Sequence, residues 1–225
     1  NKTANILDRK AEISALEEEI RQKTDKALDF DAYKEQEQLQ FTYLGGNNVE
    51  GLEHVLYQCP HCHEEFTVQV RDKDTLYCTN CGFAHKSDHM GFLHNCGDTE
   101  EIRYVSDWSK DIYNRLKERV AAGEDLTLSC PTDFHLIDPK KNKFVPAGQG
   151  RITLNSKCFV LEGVLHGQEF SLNVPIGSFA SLPFKPGKYI EVQDGPDIYR
   201  CVLGDGKLAM KFINLVKIRY ELNKR

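Results

Sequence analysis

The chain has 225 residues, of which 40% are hydrophobic and 28% charged, with a formal net charge of −5 and a pI near 5.9. That length suits one or two domains with an ordinary globular composition. It holds no apolar run near the roughly 20 residues that cross a bilayer, and its acidity argues against a general polyanion-binding role.

Residues 3–38 read as a charged helical segment. Ile6, Ile13 and Ile20 recur every seven residues with Leu16 beside them, a narrow apolar stripe. Such a stripe is expected to dock against the chain's own domain; the pattern is too short for a coiled coil. Gly45-Gly46-Asn47-Asn48 marks a loop. The chain opens on Asn1 rather than a methionine, so an upstream region is expected.

Two Cys-x-x-Cys pairs follow, Cys59-Pro-His-Cys62 and Cys78-Thr-Asn-Cys81. Each pair brings two thiolates within reach of one ion, and together they complete a tetrahedral site at zinc-ribbon spacing. Four thiolates leave zinc no open position, so the expected ion is a structural Zn²⁺. The flanks agree. Val55–Gln58 leads in as an apolar strand, and Phe66–Val70 alternates at period two before a turn at Arg71–Asp74. A hairpin this small needs a metal to be stable. A redox pair would instead open a helix after a strand. CxxC metal sites fit a reducing compartment.

The neighbouring histidines (His54, His61, His63, His85, His89 and His94) are read as turn or surface residues beside a complete site. Cys158 and Cys201 fall in strand-like stretches and are read as buried free thiols, while Cys96 and Cys130 have no partner spacing. Residues 51–105 carry four Lys/Arg against nine Asp/Glu. A phosphate-binding face needs the opposite sign, which counts against nucleic acid.

Ser106 is predicted to cap a second helix that runs through Ile112, Leu116 and Val120 and stops at Gly123. From Leu126 onward short strand patterns alternate with turns such as Asp138-Pro139, His166-Gly167 and Pro186-Gly187. A last helix is predicted after Asp205-Gly206, with Leu208, Phe212, Leu215, Val216 and Arg219 along one side. The expectation is an α+β protein in four parts: a helical lead-in (1–50), a small four-cysteine zinc ribbon (51–105), a linking helix (106–123) and an antiparallel pleckstrin-homology-like barrel or roll capped by a helix (124–225). The basic residues Lys207 and Lys211, with Lys185 and Lys188, are candidates for a face toward anionic lipid headgroups. Packing of this helix on the barrel is the plainer reading. His135…Asp138 and His85…Asp88 pair a histidine with an aspartate, but both are read as structural. No nucleophile elbow or phosphate loop is present in the sequence.

Several segments resemble a known family. Ile20-Arg-Gln-Lys-Thr-Asp-Lys-Ala-Leu-Asp-Phe-Asp-Ala-Tyr33, Glu50-Gly-Leu-Glu-His-Val-Leu-Tyr-Gln-Cys-Pro-His-Cys62, Leu182-Pro-Phe-Lys-Pro-Gly-Lys188, Asp197-Ile-Tyr-Arg-Cys201 and Met210-Lys-Phe-Ile-Asn214 resemble the region after the catalytic domain in bacterial lysophospholipid acyltransferases of the 1-acyl-glycerol-3-phosphate acyltransferase superfamily. There the first knuckle often reads Cys-Pro-x-Cys-Gly; here His63 stands for the glycine. The family's catalytic His-x-x-x-x-Asp is not in this sequence; His94 and Asp98 are one position too close. The resemblance therefore implies a non-catalytic accessory region of a glycerophospholipid acyltransferase. Its expected partners are an upstream acyltransferase domain of the same polypeptide, an anionic membrane surface or an acyl carrier. Its expected place is the cytoplasmic side, membrane-associated through that parent domain. The alternative is a zinc-ribbon module that binds nucleic acid or protein, unrelated to lipid synthesis.

Overall fold

The structure is a computed structural model and describes residues 2–97 and 102–223. It divides into two compact units, Asn1–Phe41 and Thr42–Arg225.

The first unit holds two helices where the sequence suggests one: α1 (Lys2–Leu28) and α2 (Ala32–Leu39). The break has a local cause. Asp31 takes an extended conformation and its carboxylate accepts from the Tyr33 N–H at 3.1 Å, which caps α2. Ile13, Leu16 and Ile20 are exposed, at 59%, 60% and 58%.

The second unit begins with a four-stranded antiparallel sheet in sequential order: β1 (Val68–Arg71), β2 (Thr75–Cys78), β3 (Ala84–Ser87) and β4 (Leu93–Asn95). The hairpin between the cysteine pairs is as expected, but two further strands extend it. The predicted lead-in strand, Val55–Gln58, follows a 3-10 turn at Leu52–His54 and is reduced to a single bridge between Gln58 and Glu65.

Helix α3 (Val105–Ala121) comes next. It starts one residue before the expected cap, so Ser106 lies inside the helix and Tyr104 precedes it. Its end is as read. Gly123 has φ 81° and donates its N–H to the Val120 carbonyl at 3.0 Å. Val105, Trp108, Ile112 and Leu116 form its buried stripe.

The remaining strands are β5 (Leu128–Asp138), β6 (Lys143–Leu154), β7 (Cys158–Leu165), β8 (Gln168–Pro175), β9 (Phe184–Lys185), β10 (Tyr189–Asp194) and β11 (Asp197–Leu203). They form one antiparallel sheet in the order β8-β7-β6-β5-β11-β10-β9. The chain thus crosses from one edge of the sheet to the other between β8 and β9, then returns to pair β11 with β5.

Strand β5 fuses two segments that read separately in the sequence. Pro131 in its middle is tolerated for a geometric reason. In an extended strand the N–H and C=O of one residue point the same way. The Pro131 carbonyl accepts from the Gly204 N–H at 2.8 Å, just past the point where β11 stops pairing with β5 at Leu203↔Thr132. The missing N–H therefore falls at the very end of the β11 ladder, where it costs at most one terminal bond. In β6, Pro146 sits beside a register shift between Phe134 and His135.

Helix α4 (Leu208–Asn223) covers the sheet. Phe212, Leu215, Val216 and Ile218 join Phe134, Ile152, Phe159, Leu161 and Ile190 in one core. Burial of this size dominates the stability of such a layer. The predicted single apolar side is too modest. Lys211, Ile213, Asn214 and Ile218 are buried as well, because α4 has the sheet on one side and α3 and the ribbon on the other.

Candidate metal centre

Cys59 and Cys62 flank a tight turn that leads into β1, and Cys78 closes β2 with Cys81 in the turn beyond. The four Sγ atoms lie within 4.8 Å of one another, the one such convergence of ligand-type side chains among the described residues. Cys59 Sγ is 3.7 Å from Cys81 Sγ, and Cys62 Sγ is 3.7 Å from Cys78 Sγ. A tetrahedral ion at the usual Zn–S distance of about 2.3 Å places its sulfurs roughly 3.8 Å apart. The residues fit the ion.

Donors surround the sulfurs. The Asn80 N–H reaches Cys78 Sγ at 3.4 Å, and Asn80 Nδ2 reaches Cys62 Sγ at 3.6 Å. Thr67 Oγ1 lies 3.2 Å from Cys78 Sγ, and toward a thiolate its hydroxyl donates. Burial works against the charged form of Cys78, but hydrogen bonds from Thr67 and the Cys81 and Asn80 N–H groups win and bring its pKa down to about 6. Cys59 is fully buried, and that burial pushes its thiol up. Sulfurs this close cannot all ionise without a cation among them. With Zn²⁺ bound all four would be thiolates. The ion would supply a fixed cross-link and no open coordination position.

The histidines lie around this centre rather than in it. His61 is exposed and stacks at 6.5 Å on Phe83. His85 is buried, stacks on Phe83 at 4.4 Å and accepts from the Ile102 N–H through Nε2 at 3.1 Å. His94 Nε2 meets Asp88 Oδ2 at 2.7 Å, a pairing that sequence spacing did not suggest. His135 pairs across β5 with Arg200 and Pro146. Cys96 is exposed, Cys158 half-buried, and Cys130 and Cys201 buried; all are free thiols. Burial pushes Cys201 up to about 12.

The ribbon is clamped to the rest of its unit by contacts that the sequence did not suggest. Trp108 of α3 donates Nε1–H to the buried Gln58 carbonyl at 2.8 Å, and its ring meets Phe83 edge-on at 5.6 Å. Glu65 accepts from Arg119 of α3 at 3.1 Å and from Lys211 of α4. Gly187, in the β9–β10 turn, has the His54 ring where a Cβ would stand, and Gly206 packs onto the Gly187 backbone in the same way.

The four lysines of the expected lipid face separate. Lys211 is buried, with 8% of its side chain exposed, and ion-paired to Glu65, so it offers nothing to a membrane. Lys185 and Lys188 are exposed and Lys207 half-buried. They flank the Gly187–Gly206 contact, which brings these three together. Among the described residues, no helix is long and apolar enough to cross a membrane.

No family model matches the chain, and no curated protein matches it. Among solved structures it is similar to the crystal structure of the Ran binding domain from the nuclear complex component Nup2 of Ashbya gossypii. That match has 15% identity and a TM-score of 0.33, and it covers 44% of this chain and 96% of that one.

Proposed function

We propose that this chain is a non-catalytic, metal-stapled accessory region of a glycerophospholipid acyltransferase, its β domain built on the pleckstrin-homology-like plan of seven strands and a closing helix. The metal is Zn²⁺, held by Cys59, Cys62, Cys78 and Cys81. One observation carries the link to that family. Three of the five segments whose sequences resemble it, far apart along the chain, meet in space within the second unit. Glu50–Cys62 supplies His54, Tyr57 and Gln58. Leu182–Lys188 supplies Gly187, packed on His54. Met210–Asn214 supplies Asn214, whose side chain faces the buried Tyr57 hydroxyl. Three of the family-like segments thus lie where ribbon and β domain interlock. That is the expectation for a rigid scaffold that positions a parent enzyme.

Lys185, Lys188 and Lys207 form the face that would meet anionic headgroups on the cytoplasmic side, each contributing roughly 1 kcal/mol near such a surface. An acyl carrier, itself acidic, would use the same face.

The reading frame upstream of Asn1 tests the reading. It is expected to encode His-x-x-x-x-Asp within a domain bearing apolar helices, and a frame without that motif sinks the acyltransferase assignment. Flotation with phosphatidylglycerol vesicles tests the surface. Lys185→Glu/Lys188→Glu/Lys207→Glu is expected to abolish binding, and equal flotation of variant and parent removes the lipid role. A salt-dependent mobility shift with single-stranded nucleic acid would favour the unrelated binding module instead.

A further inference from the structure

Glu65 stands three residues beyond Cys62, and its place depends on the first knuckle. The Cys59 N–H donates to the Glu64 carbonyl at 3.0 Å, Gln58 bridges Glu65, and the Phe66 N–H donates to the Tyr57 carbonyl. Phe66 holds a positive φ of 62° to make that return. The chain from Glu64 to Phe66 is therefore wrapped onto the segment that carries the first ligand.

The Glu65 carboxylate is engaged by α3 and α4. It accepts from Arg119 Nη1 and from Lys211 Nζ, whose side chain is almost fully covered and also lies 5.8 Å from the Phe66 ring. Arg119 has a second carboxylate, Glu124, at 2.7 and 2.6 Å. Among the described residues Glu65 is the carboxylate within ion-pair distance of Lys211, while Glu124, held by Arg119, acts on that ammonium from farther off. A buried ammonium without its anion is strongly unfavourable.

We infer that Glu65 is a latch that couples metal occupancy of the four-cysteine centre to the seating of α4. The inference rests on the metal reading above. Metal loss frees the Cys59–Cys62 turn, withdraws Glu65 and leaves Lys211 buried without its direct ion-pair partner, so the first turns of α4 loosen. By linkage the coupling runs both ways: breaking the Glu65–Lys211 pair weakens metal binding by the same factor that metal loss loosens α4.

Hydrogen exchange of the zinc-loaded and chelator-treated chain tests this, followed on peptides from α4 (208–216) and β7 (158–165), with zinc affinity measured by competition against a chromophoric chelator. Zinc removal is expected to speed exchange in α4 by about tenfold, within the usual range of site-to-site coupling, with β7 unchanged. Glu65→Gln is expected to weaken zinc binding by a similar factor. Glu65→Gln/Lys211→Met, which leaves no buried charge to neutralise, keeps the fold and is expected to show little response of α4 to zinc removal. The latch is overturned if α4 of the parent chain ignores zinc removal, if β7 loosens equally, or if the double variant responds as the parent does. A chain that takes up no zinc at all fails the metal reading instead, and that is read before any exchange is measured.

Discussion

His63 and Gly82 hold equivalent places in the two halves of the cysteine centre. Each follows the second cysteine of its pair, each has a positive φ (61° and 77°), and each donates its N–H to the carbonyl of the first cysteine (3.0 and 3.1 Å). The two knuckles are the same turn built from different residues. Glycine adopts this conformation freely, whereas a residue with a Cβ is strained by roughly 1–2 kcal/mol. His63→Gly is therefore expected to stabilise the zinc-loaded chain by about 0.5–1 kcal/mol, once glycine's larger entropy loss is allowed for. Chemical denaturation measures it, and a loss of stability would mean that the His63 ring contributes more than its backbone costs.

The metal centre predicts a stoichiometry. The purified chain is expected to carry one Zn²⁺, and Cys59→Ala/Cys78→Ala none. Cobalt in place of zinc is expected to give the intense visible absorption of a four-thiolate tetrahedral site. Binding at such sites is worth about 10–16 kcal/mol in small zinc domains, so chelation is expected to lower the melting temperature of the ribbon markedly. Zinc retained by the double variant would sink the site.

Trp108 joins α3 to the ribbon through one buried hydrogen bond to Gln58. Trp108→Phe keeps much of the ring but leaves the Gln58 carbonyl unsatisfied, at a cost of about 1–3 kcal/mol. Trp108→Ala also opens a cavity and is expected to cost about 3–5 kcal/mol. Equal stability of Trp108→Phe and the parent, measured by urea titration, would show that water replaces the donor.

Acid should weaken the turn before β4 through Asp88. Burial disfavours its charge, but the His94 hydrogen bond and the Phe92 and Met90 N–H groups outweigh burial and hold the carboxyl below its ordinary value. A carboxyl depressed in the folded state contributes stability above its unfolded pKa and loses it as pH falls through the folded one. Asp88→Asn is thus expected to destabilise by about 1–2 kcal/mol at pH 7, and the gap to the parent should shrink below about pH 4, the ordinary aspartate value. A gap that stays constant with pH would assign the effect to shape rather than charge.

Much of this architecture was legible in the residues. The cysteine spacing picks out the four thiols that converge, Gly123 marks the end of α3, and period-two burial runs along β5 from Leu128 to Phe134. Other features were hidden for physical reasons. Strands β3 and β4 are too short to show a period. Pro131 looks like a break because sequence alone does not reveal that it sits at the end of the β11 ladder. Lys211 looks like surface because the carboxylate that buries it lies 146 positions away. The clamp of Trp108, Gln58 and Glu65 carries no local signal, since its members are ordinary residues made important by long-range packing.

The two-sided burial of α4 also fixes an order of events during synthesis. The sheet core needs Phe212, Leu215 and Ile218, and Glu65 needs Lys211. Both partners of α4 emerge from the ribosome before it does. The cysteine pairs can take their ion early, but strands β5–β11 must wait with their apolar faces open until the helix arrives. Such a wait favours mispairing with other chains. Nascent chains stalled before Leu208 should therefore be protease-sensitive in the sheet and protected in the ribbon.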